Sequence, residues 1–223
     1  MSGPPPPARR VPPGKHELRR EVVAHHQRER ILRAVAEAIA SEGYRDVAVA
    51  DIVKQAAIAR AKFYDNFKSK EDAFLAAYDR AIEEAHRRVA DACSDDAPLA
   101  VRVTAGLSAL LHYMDEEPAL ARMCIVEGPS AGAVGTARYE QAVKSFAPLL
   151  APAREAAERP DELPGTVEEA VIGGTVWLIY EALLAEKPSP LQDLLPQLVE
   201  FCLLPFIGAK AAGEAASLVD AVD

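Results

Sequence analysis

The segment Val49–Lys70, VADIVKQAAIARAKFYDNFKSK, contains two short helical patterns on either side of a tight turn. In the first pattern Ile52 and Ala56 share one face, and in the second Phe63 and Phe67 repeat at i and i+4. Isolated helices shorter than about 12 residues are marginal in water, so both must pack on a neighbour. We therefore predict a helix-turn-helix that is completed by an adjacent helix.

The flanking sequence supplies helices on both sides of this motif. Upstream, Ile31 and Val35 belong to an apolar stripe in a helix predicted over residues 21–42, which Gly43 ends in the C-terminal capping position. Downstream, a long amphipathic helix is predicted from residue 70 to about residue 92. Three helices then form a small head, and the fourth joins it to the rest of the chain.

The outer face of the second short helix is predicted to be mostly cationic. A helix-turn-helix places its second helix in the major groove, where Lys, Arg and Tyr reach phosphates or base edges. This face alone leaves open an ordinary solvated helix in an all-α protein. The candidate DNA-binding residues are Arg60, Lys62, Tyr64, Asp65, Asn66, Lys68 and Lys70.

A specific run of residues follows the motif. Phe63-Tyr64 is followed by Phe67-Lys68-Ser69-Lys70-Glu71-Asp72, and upstream positions share the pattern, namely Ile31, Ala34, Gly43, Tyr44, Ile52, Val53, Ala56, Ala57 and Ile58. On these residues the chain from His25 to about Asp79 resembles the DNA-binding domain of the tetracycline-repressor (TetR) family of bacterial transcription regulators. Ser69 is expected to cap the following helix, because a side-chain oxygen there accepts from a free backbone N–H.

Three alanines and one carboxylate depart from the pattern of that family. Ala57 stands where the family commonly has Gly, so it must enter the left-handed region at about 1–2 kcal/mol, or the turn must shift. Ala48 and Ala59 replace a Thr and a Ser that cap helices and touch phosphates, so we expect two fewer backbone contacts. Asp65 repels phosphates but can accept from the amino group of cytosine, so we predict that it restricts sequence choice.

The net charge of −9 is unevenly distributed. Residues 1–70 carry +6 and residues 71–223 carry −15, with histidines neutral. A basic head on an acidic body is expected if only one end of the protein approaches phosphates. The partner that this charge pattern favours is double-stranded DNA.

Cysteine usage and the N-terminus indicate the compartment. Cys93, Cys124 and Cys202 lie far apart without metal-site spacing, so we expect buried reduced thiols. Glu181 and Glu200 interrupt the apolar stretches, and the chain opens on prolines and charges rather than a signal peptide. We expect a soluble cytoplasmic protein with no membrane partner. The first 20 residues are expected to form a disordered arm that either contacts DNA or has no role.

No strand-like alternation occurs after residue 97, so the predicted fold class is all-α, with an N-terminal three-helix DNA-binding domain and a C-terminal helical ligand-binding and dimerisation domain. The body helices are predicted at about 98–115, 118–127, 132–158, 166–186 and 190–211. The predicted organisation is an arm (1–20), a head (21–70), a linking helix (71–92), a body (93–211) and a flexible tail (212–223).

The last two helices carry more apolar area than one internal face requires, which indicates a partner surface. The family resemblance implies a two-fold homodimer made by these helices, with two heads on half-sites about one DNA turn or a multiple apart. It also implies a link between the ligand site and the DNA site through the helix after the head. The candidate interface residues are Ile172, Val176, Ile179, Leu195, Leu198 and Phe201.

The body of that family usually holds a pocket for a small inducer, so the resemblance implies a small apolar ligand here. Candidate wall residues are Leu107, Leu111, Tyr113, Met114, Met123, Phe146, Trp177 and Tyr180, with His112 or Glu127 available to fix one polar group. Apolar residues at helical spacing also occur in every helical core, so plain core remains an open interpretation of this set.

Signals of catalysis are weak. Glu83-x-x-His86 has the spacing of di-iron helical bundles, but no second copy is present, and a polar helix face explains it. Phosphate-binding loops, nucleophile elbows and zinc motifs are absent from the sequence. We predict a ligand-responsive transcription regulator, more often a repressor, with no enzyme activity and no cofactor. A helical protein-interaction module without DNA binding is the alternative, and an all-α enzyme is a more distant one.

Overall fold

The computed structural model describes residues 15–94 and 96–219, with side chains described from residue 25 onward. Within these ranges the chain is built from α-helices joined by short 3-10 and π turns, and no strand occurs. The all-α class predicted from the sequence is confirmed. The predicted arm falls mostly outside the described residues, but its residues 15–20 are helical, so the first helix begins earlier than expected.

The head consists of α1 (Lys15–Glu42), α2 (Val49–Gln55) and α3 (Arg60–Tyr64). Its core contains the residues that the apolar spacing selected, and Ile31, Ile52 and Phe63 are completely buried. Gly43 ends α1 with φ +84, and its N–H donates to the carbonyl of Ile39. The short helix α2 packs on α1, and α3 packs on α2, so neither stands alone.

The linking helix α4 (Lys70–Ala92) leaves the head and packs along α1, α5 and α7. The remaining helices are α5 (Leu99–Glu116), α6 (Pro118–Arg122), α7 (Gly132–Phe146), α8 (Ala151–Glu155), α9 (Val167–Leu183) and α10 (Leu195–Val219). A single helix predicted over 132–158 is wrong, because a 3-10 turn at Ala147–Leu150 divides it at Pro148. A π-helical turn, Met123–Glu127, follows α6.

The last helix, α10, is longer than predicted. It continues through a kink at Gly208, where φ is +78, and Ala212, Ala215 and Ala216 are buried beyond it. The prediction of a flexible tail is therefore wrong for residues 212–219, and residues 220–223 lie outside the described part. The alanine-rich end of α10 has no strong apolar periodicity, so the sequence did not predict a helix there. Its small side chains nevertheless allow this helix to pack closely on its neighbours.

The segment Leu191–Val219 is long and apolar enough to span a membrane by length and composition alone. A core helix of a water-soluble protein passes the same test. Here Leu198, Val199 and Leu203 are completely buried within the chain, and α10 packs against α5 and α9. The structure accounts for these apolar residues as part of the helical body.

Candidate DNA interface and ligand cavity

The turn of the helix-turn-helix contains a non-glycine residue in the left-handed region. Ala57 has φ 50, which among the described residues is the one positive φ outside glycine. Its carbonyl accepts from the Arg30 guanidinium at 3.2 Å, which ties the turn to α1. Of the two outcomes expected for this position, entry of alanine into the left-handed region is the one observed, and the turn carries the strain.

The starts of the head helices differ in their capping. Ala48 and Ala59 are the N-cap residues of α2 and α3, both extended and without a side-chain cap bond. At α2, Asp51 Oδ2 accepts from the Ala48 N–H at 2.8 Å, which satisfies one backbone donor. Ser69 Oγ accepts from the Asp72 N–H at 3.1 Å, so the cap predicted for α4 is present.

The outer face of α3 is polar and open. Arg60, Lys62, Tyr64, Asp65 and Lys68 are all exposed. Lys62 Nζ lies 3.0 Å from Asp65 Oδ2, so the carboxylate engages a neighbouring cation in the free protein. The Arg60 guanidinium lies 5.8 Å from the centre of the Tyr64 ring. This surface presents cations and an aromatic edge that the described residues leave uncovered, as a groove-binding face requires.

Two of the predicted DNA-binding residues have intramolecular bonds instead. Lys70 Nζ donates to the carbonyls of Tyr44 and Val47 at 2.6 and 2.7 Å and lies 4.6 Å from the Tyr44 ring. Asn66 is half-buried and donates from Nδ2 to the carbonyl of Lys62. For Lys70 the sequence prediction needs correction, since its ammonium joins α4 to the loop after α1. Sequence proximity to α3 did not reveal this contact.

A cavity of about 470 Å³ lies within the body, between α4, α5, α7 and α9. This volume falls in the usual range of ligand sites, about 300–1,000 Å³. The α4 wall includes Tyr78, Ile82 and Val89, so the helix that leaves the head also borders the cavity. The surrounding walls are largely aliphatic and aromatic, which suits an apolar ligand.

The predicted wall residues divide into two groups. Leu107, Tyr113, Met114 and Phe146 line the cavity. The other four, Leu111, Met123, Trp177 and Tyr180, do not line this cavity. Leu111 and Met123 are completely buried in the core, while Trp177 is 57% exposed and stacks on Tyr180 with ring centres 5.5 Å apart.

The two polar residues considered for the ligand also lie elsewhere. His112 is exposed, with Nε2 3.0 Å from Glu116 Oε1. Glu127 Oε2 accepts from the Tyr44 N–H at 3.1 Å and from Ser130 Oγ at 3.2 Å. Glu127 therefore faces the head. His86 of the Glu-x-x-His pattern stacks on Phe146, with ring centres 3.9 Å apart, and burial lowers its pKa.

The predicted interface residues mostly face inward. Ile172, Val176 and Ile179 line the cavity, and Leu195 and Leu198 are buried in their own chain. In the single chain these five residues therefore belong to the cavity wall or the core. Phe201 is half-buried, and its ring lies against Gly174. The large apolar residues exposed on these helices or at their ends are Trp177, Leu184, Leu204 and Leu218.

Sequence reasoning missed the residues that join the body to the head. Arg122 donates from Nε to the carbonyl of Ala40 near the end of α1 and from Nη1 to the carbonyl of Leu183 at the end of α9, at 3.1 and 3.3 Å. Glu127 forms the second contact between body and head, because its carboxylate accepts from the Tyr44 N–H. Both partners lie far away in sequence, so no local pattern signals these bonds.

The π turn between these two junction residues also borders the cavity. Cys124 and Ile125 of this turn line it. Burial raises the pKa of the Cys124 thiol and of the Tyr78 phenol beside it, so both groups are neutral at pH 7. The cavity wall and the anchor of the head thus belong to one short segment, and π turns are frequent at functional sites.

The cysteines are free thiols, as expected from their spacing. Cys124 and Cys202 are buried and Cys93 is half-buried. Burial raises the pKa of Cys202 to about 11. All three line the same cavity, where they act as small apolar wall residues.

A helix-turn-helix head, joined by one long helix to a body with an apolar cavity, is the architecture of a ligand-responsive DNA-binding regulator. Residues 31–77 match the sequence model described as bacterial regulatory proteins, tetR family. The head and the start of the linking helix are therefore similar to the DNA-binding domain of the tetR family, as the resemblance of the motif implied. The match covers the head and the start of α4.

Solved structures of similar fold include regulators from several bacteria. The fatty acid degradation regulator FadR of Bacillus halodurans superposes with a TM-score of 0.67 at 17% identity, over 79% of this chain and 94% of that one. FadR of Bacillus subtilis, solved in complex with stearoyl-CoA, superposes with a TM-score of 0.67 at 19% identity, over 81% of this chain and 98% of that one. A tetR-family regulatory protein of Rhodococcus RHA1 superposes with a TM-score of 0.66 at 18% identity, over 82% of this chain and 98% of that one. At these identities the likeness establishes the fold. No curated protein matches the sequence.

Proposed function

We propose that this protein is a cytoplasmic homodimeric repressor that leaves its operator when an apolar ligand, with a long hydrocarbon chain, fills the cavity of the body. The observation that carries the proposal is that α4 and the π turn, which contact the head, also form walls of the 470 Å³ cavity. A ligand that changes these walls acts on the position of the head.

The ligand class is supported by the shape and chemistry of the cavity. It extends along α5 and is lined mainly by aliphatic and aromatic side chains. One protein of similar fold is described as a fatty acid degradation regulator, and another, a transcriptional regulator, was solved with stearoyl-CoA. A fatty acyl chain matches these walls, because its burial removes a large apolar area from water at about 25 cal/mol per Å².

The DNA contacts are assigned to the exposed face of α3. Arg60, Lys62 and Lys68 supply positive charge near the groove, and Tyr64 supplies an exposed aromatic hydroxyl. Asp65 is assigned a role in sequence choice, because it can accept from a cytosine amino group but repels phosphates. The operator is expected to contain two half-sites on one DNA face.

The dimer is assigned to the exposed apolar residues of α9 and α10. Trp177, Leu184 and Leu204 are large, apolar and solvent-exposed in the single chain. The Trp177–Tyr180 stack gives this face a flat aromatic centre, and aromatic residues are enriched in interface cores. A two-fold contact through this face places two heads on the same assembly.

The chain divides into domains at the contacts between the head and the body. We infer a head over residues 21–70, a linking helix over 71–92 and a ligand-binding and dimerising body that extends to Val219. Arg122 and Glu127 connect head and body, so the two are coupled through two hydrogen bonds, to the Ala40 carbonyl and from the Tyr44 N–H, in addition to α4. Ligand-induced movement of the π turn is the step that changes the separation of the heads.

The proposal is tested by measuring the affinity of the purified protein for its own gene's upstream DNA, with and without dodecanoyl-CoA. We expect specific binding that the ligand weakens by about tenfold or more, corresponding to a coupling of 1–3 kcal/mol. Lys62→Ala should weaken DNA binding, whereas Lys144→Ala, the same charge change on exposed α7, should not. Equal affinities with and without ligand, across acyl-chain lengths, would refute ligand release.

A further inference from the structure

Two charged side chains stand out in the wall of the cavity. Arg102 and Glu117 are the charged residues among the described wall, and the rest is apolar or bears neutral polar groups. They lie at opposite ends of α5, about 22 Å apart at 1.5 Å per residue. The cavity therefore has a cationic end and an anionic end.

The cationic end is the open one. Exposed wall residues are found at Ala90, Pro148 and Leu149. Cys93, one turn beyond Ala90 on α4, donates from Sγ to the carbonyl of Arg102 at 3.6 Å. These residues border the end of the cavity where α5 begins.

A contact cluster also connects the opening to the first turns of α5. Leu150, next to the exposed Leu149, belongs to a buried cluster on which Leu99 and Val103 pack. Leu99 and Val103 flank Arg102 on the same helix. The opening, the 3-10 turn Ala147–Leu150 and Arg102 thus lie together.

The opposite end of the cavity is the more enclosed one. Its wall includes Tyr78, Ala121, Cys124 and Ile125, each no more than 7% exposed. Cys124 and Ile125 belong to the π turn that is joined to the head through Glu127. A chain that enters beside Arg102 therefore ends against the segment that contacts the head.

We infer that Arg102 binds the anionic end of a single-chain amphiphile, carboxylate or phosphate, while its hydrocarbon tail extends to the π turn. An anion in the more enclosed end would lose its hydration among apolar walls and meet Glu117. At the open end it keeps water and gains charge-assisted hydrogen bonds from a planar guanidinium. This inference rests on the proposed ligand cavity and adds the orientation and charge of the ligand.

The test compares ligands of equal chain length with different ends. Calorimetric affinities are measured for dodecanoate, dodecanol and dodecanoyl-CoA, with the wild type, Arg102→Gln and Arg102→Lys. The control is Arg159→Gln, which removes an equivalent charge from an exposed position outside the cavity wall. Thermal unfolding of each variant without ligand shows whether it is folded.

Arg102→Gln should weaken dodecanoate or dodecanoyl-CoA binding by roughly tenfold, while dodecanol affinity changes less than about twofold. Arg102→Lys should retain part of the preference for the anion. The ligand that loses affinity identifies the anionic group, carboxylate for the free acid or phosphate for the coenzyme A ester. Unchanged anion affinity in Arg102→Gln, or equal losses for dodecanoate and dodecanol, would overturn the role of Arg102 and leave the apolar cavity proposal intact.

A second measurement needs no variant. In the wild type, the preference for dodecanoate over dodecanol should decrease as salt concentration rises, because salt screens a half-exposed ion pair but not chain burial. A preference for dodecanol over dodecanoate would contradict the inference. So would a preference for dodecanoate that does not change with salt concentration. If none of the three compounds binds, the proposed ligand class itself fails, which is a distinct result.

Discussion

At the scale of single residues, the turn of the helix-turn-helix stores strain at Ala57. An alanine at φ 50 is disfavoured by about 1–2 kcal/mol, whereas glycine adopts this conformation freely. We expect Ala57→Gly to raise the free energy of unfolding by about 1 kcal/mol, since relief of strain exceeds the added entropy of the unfolded chain. Urea denaturation measures the change.

The neighbouring alanine provides the control for this prediction. Ala56 has φ −71, in the right-handed region, and is buried. Ala56→Gly removes packing and adds chain entropy, so it should lower stability by about 1 kcal/mol. A destabilised Ala57→Gly variant would show that the turn is not strained as described.

Asp65 is predicted to restrict operator choice. In the free protein it pairs with Lys62 at 3.0 Å, and both side chains are exposed. Asp65→Ala removes a carboxylate that repels phosphates and releases Lys62, so binding to unrelated DNA should strengthen while preference at one position relaxes. Binding-site selection from random DNA reports both effects. An unchanged preferred sequence would exclude a base-reading role for Asp65.

Glu84 on α4 gives the stability a defined pH dependence. Hydrogen bonds from Arg87 and Arg88 lower the pKa of this carboxyl from 4.5 to about 2. A lowered folded-state pKa stabilises the protein above pH 4.5, and this contribution is lost as pH falls toward about 2.

Comparing the wild type with Glu84→Gln isolates this contribution. The variant should be less stable by about 1 kcal/mol at pH 7, and the two proteins should converge near pH 2. Glu83→Gln, at an exposed position one residue earlier, is the control and should change stability little. A difference between wild type and Glu84→Gln that persists undiminished at low pH would contradict the assignment.

At the scale of elements, the π turn Met123–Glu127 connects the cavity to the head. Glu127 accepts from the Tyr44 N–H, and Cys124 and Ile125 border the cavity. We predict that Glu127→Ala retains ligand affinity but reduces the effect of ligand on DNA affinity, because one of the bonds that transmit the movement is lost. Ligand and DNA titrations on the same variant measure the two quantities.

Glu140→Ala is the matched control for that experiment. Glu140 is exposed on α7 and has no assigned contact with the head, so its variant should show the wild-type coupling. Full coupling in Glu127→Ala would show that α4 transmits the signal without the π turn.

The elements also show what local sequence determines. The head was predictable, because the apolar residues of its short helices, such as Ile52 and Phe63, are spaced to share one face of each helix. The helices α9 and α10 are apolar around most of their circumference, so periodicity does not identify which side faces the cavity. For this reason five of the six residues expected at an interface line the cavity or lie in the core, and Trp177, expected in the cavity wall, is exposed.

The DNA-binding face and the junction between head and body also show that local sequence predicts exposure but not long-range contacts. Exposure of Lys62 and Tyr64 follows from their position opposite Phe63. The contact of Lys70 with the carbonyls of Tyr44 and Val47, and those of Arg122 with distant helix ends, depend on tertiary packing. Hydrogen bonds from side chains to backbone carbonyls far away in the chain produce no recognisable pattern in the sequence.

At the scale of the whole molecule, the exposed apolar face of α9 and α10 is predicted to form the dimer. Trp177→Asp introduces a charge at the centre of this face and should convert the dimer to monomer at micromolar concentration. Val134→Asp changes an exposed apolar residue on α7 and should leave the dimer intact. Sedimentation velocity distinguishes the states. A dimeric Trp177→Asp protein would place the interface elsewhere.

The central claim is that one dimer binds either its operator or its apolar ligand with full affinity, but not both. The most direct measurement is the fluorescence anisotropy of a labelled operator fragment titrated with wild-type protein, in the absence of ligand and with saturating dodecanoyl-CoA. We predict at least a tenfold weaker operator affinity with ligand and, by linkage, an equal loss of ligand affinity when operator is bound. Identical operator affinity in both titrations, with the ligand shown to be bound, would contradict the claim.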